Sequence, residues 1–318
     1  MLALLDASSN MHLHAHAWHN VALHHYFTPD YPRAVAGWER AIASARAAGA
    51  VPEVDTRFCF LVDHNVALGT VLWAYGNALV NQGEFEEALP LLLESRDIFQ
   101  RRGSRCEIAR SLGTFGLLAL LQGDLKGAYA QLDEAVTIAT EFNYQWTICF
   151  WQPVLGYVTL HTGDVAGARR ILTESLRRCT ELKESMLLAR NLTFLAETAL
   201  WEGQVDEAAD WLAQSLAHEA NPGIIIIYEV VRLFVAAHVA AAQGQYRRAA
   251  TLFGLAEQAN SQIHGAYAGL LRTKSDTALA SVRAALDPPL FAEAFAAGQQ
   301  LSLGEAFATI LTPAAIAA

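Results

Sequence analysis

The amino-acid sequence predicts an all-α solenoid of about six helix-pair repeats, closed by a C-terminal helical cap. Three observations lead to this prediction: five turn motifs recur at a nearly fixed spacing, each lies between stretches of helical apolar periodicity, and a segment of different character follows the last. The turn glycines are 40, 40, 40 and 41 residues apart and are Gly83, Gly123, Gly163, Gly203 and Gly244. Five motifs in one register indicate a repeat protein.

A sixth, degenerate motif precedes the five. It covers residues 29–34, with Pro29 in the place of the turn glycine and Ala34 in the place of the small residue. Pro29 stands 54 rather than 40 residues before Gly83, so this repeat carries about 14 additional residues. We expect them in a long loop within residues 49–64, where Pro52 and mixed polarity disfavour a helix.

Each repeat is predicted to contain two helices. The apolar spacing of Leu72, Tyr75 and Leu79 is helical, and the glycine that follows permits the left-handed conformation that ends a helix. An acidic residue after the glycine, such as Asp124, favours the start of the second helix through the helix dipole. Small residues recur seven positions before the glycine and predict close helix pairs: Gly76, Gly116, Gly156, Ala196 and Ala237.

These positions resemble the tetratricopeptide repeat (TPR) consensus. In one repeat the matching residues are Leu72, Tyr75, Gly76, Leu79, Gly83, Ala88, Leu92 and Ser95, and in the first copy they are Trp18, Ala22, Ala34, Trp38 and Ala41. The resemblance implies a right-handed superhelix whose concave face is lined by the first helix of each repeat. It divides the chain into a solenoid over residues 1–264 and capping helices over residues 265–318.

The C-terminal part resembles large bacterial STAND-type regulators. The matching stretches are residues 249–257, 284–286, 291–298 and 301–306. In LuxR-like and AfsR-like members of that group, an effector and an NTPase precede a TPR array of this kind. The resemblance covers neither of those parts, so the sequence is expected to be an excised sensor domain or a stand-alone relative. Within it, Ser302 and Glu305 form a capping-box pattern, after a helix break at Pro288 and Pro289.

Composition excludes several function classes. The 22 Lys and Arg against 32 Asp and Glu give a net charge of −10, which argues against direct nucleic-acid binding. No G-K-[ST], G-x-S-x-G, H-E-x-x-H or G-x-G-x-x-G motif occurs, so we expect neither catalysis nor a cofactor. Glu229 and Arg232 interrupt the most apolar stretch and argue against a membrane span. Without a secretory signal, and with cysteines expected as reduced thiols, the predicted location is the cytoplasm.

The concave face supplies the candidate binding residues. Aromatic side chains with a few polar groups suit a small-molecule or peptide site, and repeat proteins bind on such faces. The alternative is that some of these aromatic residues pack between repeats, while Arg190 and Glu197 pair with each other or with solvent. The candidates are His19, Trp73, Asn77, Arg110, Tyr157, His161, Arg190, Glu197, Trp201 and His238.

Histidines are concentrated near the start of the sequence. On a helix His12, His16 and His19 share one face, and histidines one turn apart can hold zinc or nickel. No Cys, Asp or Glu lies between them to complete a ligand set. We therefore expect partly exposed imidazoles on the first helix and no physiological metal.

Two functions of different classes remain after these exclusions, with an enzyme as a third alternative. The first is a sensor module of a STAND-type regulator that binds an inducer or a protein partner on the concave face. The second is a stand-alone scaffold that binds a protein or peptide and no small molecule, and self-association as a homodimer fits either. A closed pocket around Trp73, Tyr157 and Trp201 favours a small molecule, whereas an open apolar trough favours a helix.

Overall fold

The computed structural model describes residues 11–28, 30–49, 68–183, 185–218, 226–262, 268–302 and 305. Across these residues the chain forms fourteen α-helices and no strand, which confirms the predicted all-α fold. No helix in these ranges is long and apolar enough to cross a membrane. The helices are α1 (Met11–Phe27), α2 (Tyr31–Ala48), α3 (Leu68–Gln82), α4 (Phe85–Arg102), α5 (Arg105–Leu121), α6 (Leu125–Glu141), α7 (Gln145–His161), α8 (Val165–Leu182), α9 (Ser185–Trp201), α10 (Val205–Ala217), α11 (Ile226–Ala242), α12 (Tyr246–Gln262), α13 (Ala268–Ala285) and α14 (Pro288–Gln300).

Helices α1 to α12 form six successive pairs, each packed against the next. All five turn glycines have positive φ angles, between 74° and 97°, as the sequence predicts. After Gly83 the amide of Glu84 donates to the carbonyl of Leu79, which ends α3 with a reversal of the chain. Pro29 and the additional residues of the first repeat lie outside the described residues.

The chain also reverses midway between the turn glycines. Gly103, Asn143 and Lys183 adopt positive φ, each 20 residues after a turn glycine. Asn is among the few side chains that tolerate this conformation, whereas Lys183 adopts it without that advantage. Each 40-residue repeat therefore consists of two halves of 20 residues, and each half contains one helix and one reversal of the chain.

The small residues seven positions before the turns bring the helices of a pair close together. A Cβ atom added to Gly76 would lie 2.8 Å from Leu92, and one added to Gly116 would lie 2.6 Å from Leu132. Gly156 faces Leu172 in the same way, at 2.8 Å. The leucine of the second helix thus packs over the glycine of the first, which confirms the predicted close approach.

Acidic residues cap three of the second helices, and in α2 the Asp30 carboxylate accepts from the Arg33 amide at 3.4 Å. The Asp124 carboxylate accepts a hydrogen bond from the Gly127 amide at 2.9 Å, and Asp164 accepts one from the Gly167 amide at 2.8 Å. Each carboxylate satisfies an amide that has no partner within the helix. The acidic residue after the turn glycine is therefore a helix cap as well as a favourable charge.

The solenoid curves until distant first helices meet. Helix α3 contacts α11, and α5 contacts α13. The face lined by the first helices is therefore the interior of the molecule and not an open trough along its length. Helix α11 begins at Ile226, so the isoleucine run enters a helix as predicted, while Ile224 and Ile225 lie outside the described residues.

The C-terminal helices pack on the last pair. Helix α14 crosses α12 with Gly298 and Gly254 at the crossing, and α13 ends before Pro288 as predicted. The capping box also forms, since the Ser302 amide donates to the Glu305 carboxylate at 2.9 Å. The division into residues 1–264 and 265–318 stays a prediction.

The cysteine expectation needs one correction. Cys149 and Cys179 are free thiols, but Cys106 is disulfide-bonded. Wide spacing along the sequence does not prevent proximity in the fold, so the spacing argument was insufficient at this residue.

Candidate functional site

A cavity of about 320 Å³ lies on the face formed by the first helices. Five successive first helices, α1, α3, α5, α7 and α9, contribute to its wall, and α2 adds one residue. The described lining residues are His19, Leu23, Tyr26, Phe27, Trp38, Thr70, Trp73, Ala74, Asn77, Asn81, Arg110, Trp146, Phe150 and Met186. We call this cavity the inner pocket.

Aromatic side chains form most of the apolar wall of the inner pocket. Trp146 and Phe150 of α7 stack with ring centroids 4.7 Å apart and an interplanar angle of 19°. Tyr26 and Trp38 meet at 5.6 Å on the side of α1 and α2. These rings pack against one another, which gives a rigid apolar surface for a ligand.

Arg110 provides the positive charge of the inner pocket. Its guanidinium lies over the Trp73 ring at 4.9 Å from the centroid, and one of its nitrogens is 3.9 Å from the Glu107 carboxylate. Burial lowers the pKa of Arg110 from its usual value, and Glu107 opposes that effect. Thr70 donates a hydrogen bond to Glu107 at 3.3 Å, so the carboxylate is held beside the pocket.

Thr114 orients two polar side chains of α3 from behind the wall. The Trp73 indole donates to the Thr114 hydroxyl at 2.9 Å, and that hydroxyl lies 3.4 Å from the Asn77 side-chain oxygen. With its oxygen turned toward Thr114, Asn77 keeps its amide nitrogen as a donor for the pocket. Asn81 is fixed separately, because its amide donates to the Asn77 carbonyl at 2.8 Å.

His19 is a buried neutral histidine in the wall. It is 9% exposed, and its Nδ1 atom has no hydrogen-bond partner among the described residues. The pKa of His19 is lowered to about 4, chiefly by burial and in smaller part by the nearby charges of His16 and Arg110. The imidazole is therefore uncharged at neutral pH and has a ring nitrogen available for a hydrogen bond.

The structure brings four of the ten sequence-predicted residues into the inner pocket: His19, Trp73, Asn77 and Arg110. Trp73 lines the inner pocket, whereas Tyr157 and Trp201 are not among its described lining residues. Trp38, Trp146 and Phe150 supply the aromatic wall in their place. First-helix residues at equivalent positions of different repeats can therefore have different surroundings, because the solenoid is curved.

Four other candidates form a separate group between α7 and α9. They are Tyr157 and His161 on α7, and Glu197 and Trp201 on α9. His161 Nε2 lies 3.3 Å from the Glu197 carboxylate, and the His161 ring meets the Tyr157 ring at 4.5 Å and the Trp201 ring at 5.6 Å. Tyr157 is fully buried. These contacts are inter-helix packing, in line with the alternative that some aromatic residues pack between repeats.

Arg190 and His238 occupy two further environments. Arg190 donates to the carbonyls of Cys149 and Phe150 and lies over the Tyr228 ring at 4.7 Å, whereas Glu197 lies beside His161. His238 lies 3.3 Å from the Ser275 hydroxyl, so α13 packs against this part of the inner face. An Arg190–Glu197 pair, the sequence-based alternative, is not what these contacts show.

The N-terminal histidines have separate surroundings. His16 Nε2 lies 3.1 Å from the Asn20 amide nitrogen, while His19 faces the inner pocket. The described part of the chain contains no group of three or more His, Cys, Asp or Glu that could hold a metal ion.

Sequence reasoning missed several lining residues that the repeat register could have identified. Thr70, Arg110, Phe150 and Arg190 each stand thirteen positions before a turn glycine, in four successive repeats. Arg110 and Arg190 were selected as first-helix residues of the concave face, whereas Thr70 and Phe150 at the equivalent position were not. Trp146 and Met186 are likewise equivalent, seventeen positions before their glycines.

Comparison with known proteins supports the repeat assignment. Residues 68–141 match the family model described as tetratricopeptide repeat, which supports a TPR-repeat protein. The search of curated proteins found no match to the chain. The matched segment covers α3 to α6 and contains Thr70, Trp73, Asn77 and Arg110, the polar side of the inner pocket. Repeats of this kind are typical of protein–protein interaction modules.

Proposed function

We propose that this protein is a non-catalytic sensor module of a signalling or transcriptional regulator of the STAND type, and that an inducer binds in the inner pocket. The observation that carries the proposal is the wall of that pocket, to which the first helices of five successive pairs contribute. The wall combines a rigid aromatic surface with the polar groups of His19, Asn77 and Arg110. That combination is typical of sites that recognise small molecules.

The size of the inner pocket favours a small molecule over a helix. Its volume of about 320 Å³ lies at the lower end of the range of about 300–1,000 Å³ that is typical of small-molecule sites. The contact between α3 and α11 also closes the inner face to a helix laid along it.

Binding in this pocket has a direct route to a signal. A ligand that touches five helix pairs at once favours one set of angles between them, and the curvature of a solenoid is the sum of those angles. If the ligand binds one curvature more tightly than another, it shifts the population toward that curvature. A partner that binds the ends or the outer face of the solenoid with an affinity that depends on its curvature then responds to the ligand.

The test is native mass spectrometry of the untagged protein, purified from its host without a metal column. We expect a retained small molecule in the wild-type protein and its loss in Ala74→Phe, because Ala74 lines the pocket and the added ring fills it. Ala130→Phe, at an exposed position on α6, is the matched control and should keep the ligand. A protein that carries no ligand and gains none from host extract contradicts the proposal.

A stand-alone scaffold for protein partners is the second candidate. Leu89 and Leu93, one turn apart on α4, are 41% and 40% exposed and form a small apolar patch. If this patch binds a partner, Leu89→Asp with Leu93→Asp abolishes capture of that partner while Ala74→Phe leaves it unchanged. The reverse pattern favours the sensor.

A further inference from the structure

The described wall of the inner pocket carries one charged side chain and no acidic one. Arg110 is the charged residue, and the nearest carboxylate described here, that of Glu107, lies behind the wall at 3.9 Å from the guanidinium. His19 is neutral at pH 7, so it adds no second charge to the wall. A ligand group beside the guanidinium therefore meets the positive charge of Arg110 within an apolar surrounding of low dielectric constant, where charges interact strongly.

Aromatic pockets often bind cations, but two features argue against a cation here. The face of Trp73 is already covered by the Arg110 guanidinium, and the face of Phe150 by the Arg190 guanidinium at 4.8 Å. A cationic ligand on either of these faces would have to displace the guanidinium there, and elsewhere in the pocket it would share the wall with the positive charge of Arg110. The cation–π contacts of Trp73 and Phe150 are accordingly made with arginines of the protein itself.

The described contact between Arg110 and Glu107 is not a short hydrogen bond. At 3.9 Å it is longer than a charge-assisted hydrogen bond, which measures about 2.7–2.9 Å. A ligand carboxylate at that shorter distance would interact with the Arg110 guanidinium more strongly than Glu107 does. Two further polar groups line the same wall, the Asn77 side-chain amide and the His19 imidazole, whose Nδ1 atom has no hydrogen-bond partner among the described residues.

We propose that the ligand of the inner pocket is a small organic monocarboxylate with an apolar or aromatic body. Its carboxylate lies against Arg110, where Asn77 supplies a second donor, and its body lies against the ring of Trp146, which stacks on Phe150. This inference rests on the proposed function, because it names the chemical class that the same pocket takes.

The experiment uses three probes of equal shape and different charge: 4-phenylbutyrate, 4-phenylbutan-1-ol and 4-phenylbutylamine. Each is titrated into the full chain by calorimetry at neutral pH. We expect the acid to bind at least tenfold more tightly than the alcohol, and the amine to bind most weakly. Ala74→Phe should weaken the binding of all the probes that bind.

Two variants separate the charge from the cavity. In Arg110→Met the acid should lose its tenfold advantage, while the alcohol keeps its affinity. Glu107→Gln removes the competing carboxylate and keeps an oxygen for the Thr70 hydroxyl, so the acid should bind severalfold more tightly and the alcohol unchanged. The second variant provides the test by itself if Arg110→Met does not fold.

The outcomes distinguish this inference from the function on which it rests. If the alcohol or the amine binds as tightly as the acid, and Ala74→Phe removes that binding, the pocket is a ligand site but the carboxylate assignment is wrong. If none of the probes binds at millimolar concentration, the carboxylate assignment is overturned, whereas the pocket as a ligand site is tested separately by the ligand retained in native mass spectrometry. Tighter binding of the acid that is unchanged in Glu107→Gln and Arg110→Met also overturns the assignment.

Discussion

Arg190 stabilises a backbone carbonyl that Pro153 leaves without a helical partner. In a regular α7 the carbonyl of Cys149 would accept from the amide of residue 153, but proline has no amide proton. Arg190, on α9, donates to that carbonyl at 3.3 Å and also to the carbonyl of Phe150. A buried arginine that sequence reasoning placed in the binding site thus supports the helix that carries Trp146 and Phe150.

The first prediction tests this pair with a double-mutant cycle. Arg190→Met should lower the free energy of unfolding by about 2 kcal/mol, because it leaves a buried carbonyl without its main donor. In a Pro153→Ala background the helical amide returns, so the same substitution should cost at least about 1 kcal/mol less. Urea denaturation of the four proteins measures both values.

Arg170→Met is the control for this cycle, since Arg170 is exposed on α8. It should change stability by less than about 0.5 kcal/mol. Strict additivity of Arg190→Met and Pro153→Ala would show that the two residues do not compensate each other.

The second prediction concerns the crossing of α12 and α14. A Cβ atom on Gly298 would lie 1.9 Å from the Thr251 carbonyl oxygen, and one on Gly254 would lie 2.1 Å from that of Phe295. Backbone atoms cannot move aside as a side chain can, so Gly298→Ala should destabilise the protein by about 1–3 kcal/mol, although alanine favours a helix by up to about 1 kcal/mol. Thermal unfolding measures the change.

The neighbouring exposed Ala297 supplies the comparison for Gly298. Ala297→Ser adds one heavy atom where space is open and should leave the melting temperature nearly unchanged. A Gly298→Ala protein as stable as the wild type would mean that α14 does not pack on α12 this closely.

The third prediction is a pH dependence of stability. The pKa of His19 is lowered in the fold from 6.5 to about 4, so the unfolded chain takes up a proton first as the pH falls. The stability that depends on neutral His19 is fully present above pH 6.5. Between about pH 6.5 and 4 the free energy of unfolding falls by about 3 kcal/mol in total through this residue. His19→Gln should remove this part of the pH slope in denaturation experiments at pH 4 to 8.

His24→Gln, at an exposed position on the same helix, should retain the wild-type pH slope. If His19→Gln and His24→Gln give the same slope as the wild type, His19 is not buried in its neutral form.

The fourth prediction tests a helix cap. Asp164→Ala removes the acceptor for the Gly167 amide and should cost about 1 kcal/mol. Asp206→Ala is a useful comparison, because Asp206 lies in the first turn of α10 and Gln204, not Asp206, is the N-cap residue there. Equal effects of the two substitutions on urea denaturation would assign the benefit to the helix dipole and not to the cap.

The repeat architecture could be predicted from the sequence because it depends on local register. Gly76 and Leu92, for example, stand at fixed distances from Gly83, and the contact between them follows from two helices joined by one turn. The second reversals at Gly103, Asn143 and Lys183 were less evident. Three different residue types occupy that position, so no shared residue marks it in the sequence.

The composition of the inner pocket could be predicted only in part. His19, Trp73, Asn77 and Arg110 were selected by their position on first helices, and the structure places all four together. Which other first-helix residues join them depends on small rotations between repeats, which accumulate along the chain. No local sequence pattern encodes the accumulated rotation. The sequence therefore did not predict that Trp146 lines the pocket and that Trp201 is not among its described lining residues.

The contact between α3 and α11 has a consequence for how the chain folds. In an open array each repeat touches only its neighbours, so an end can fray while the middle persists. Here the second and the sixth helix pair are in contact through α3 and α11, so the folding or unfolding of one pair affects the stability of the other. Such contacts between distant segments raise the contact order, which slows folding. They also favour an all-or-none transition over the stepwise melting of an extended array.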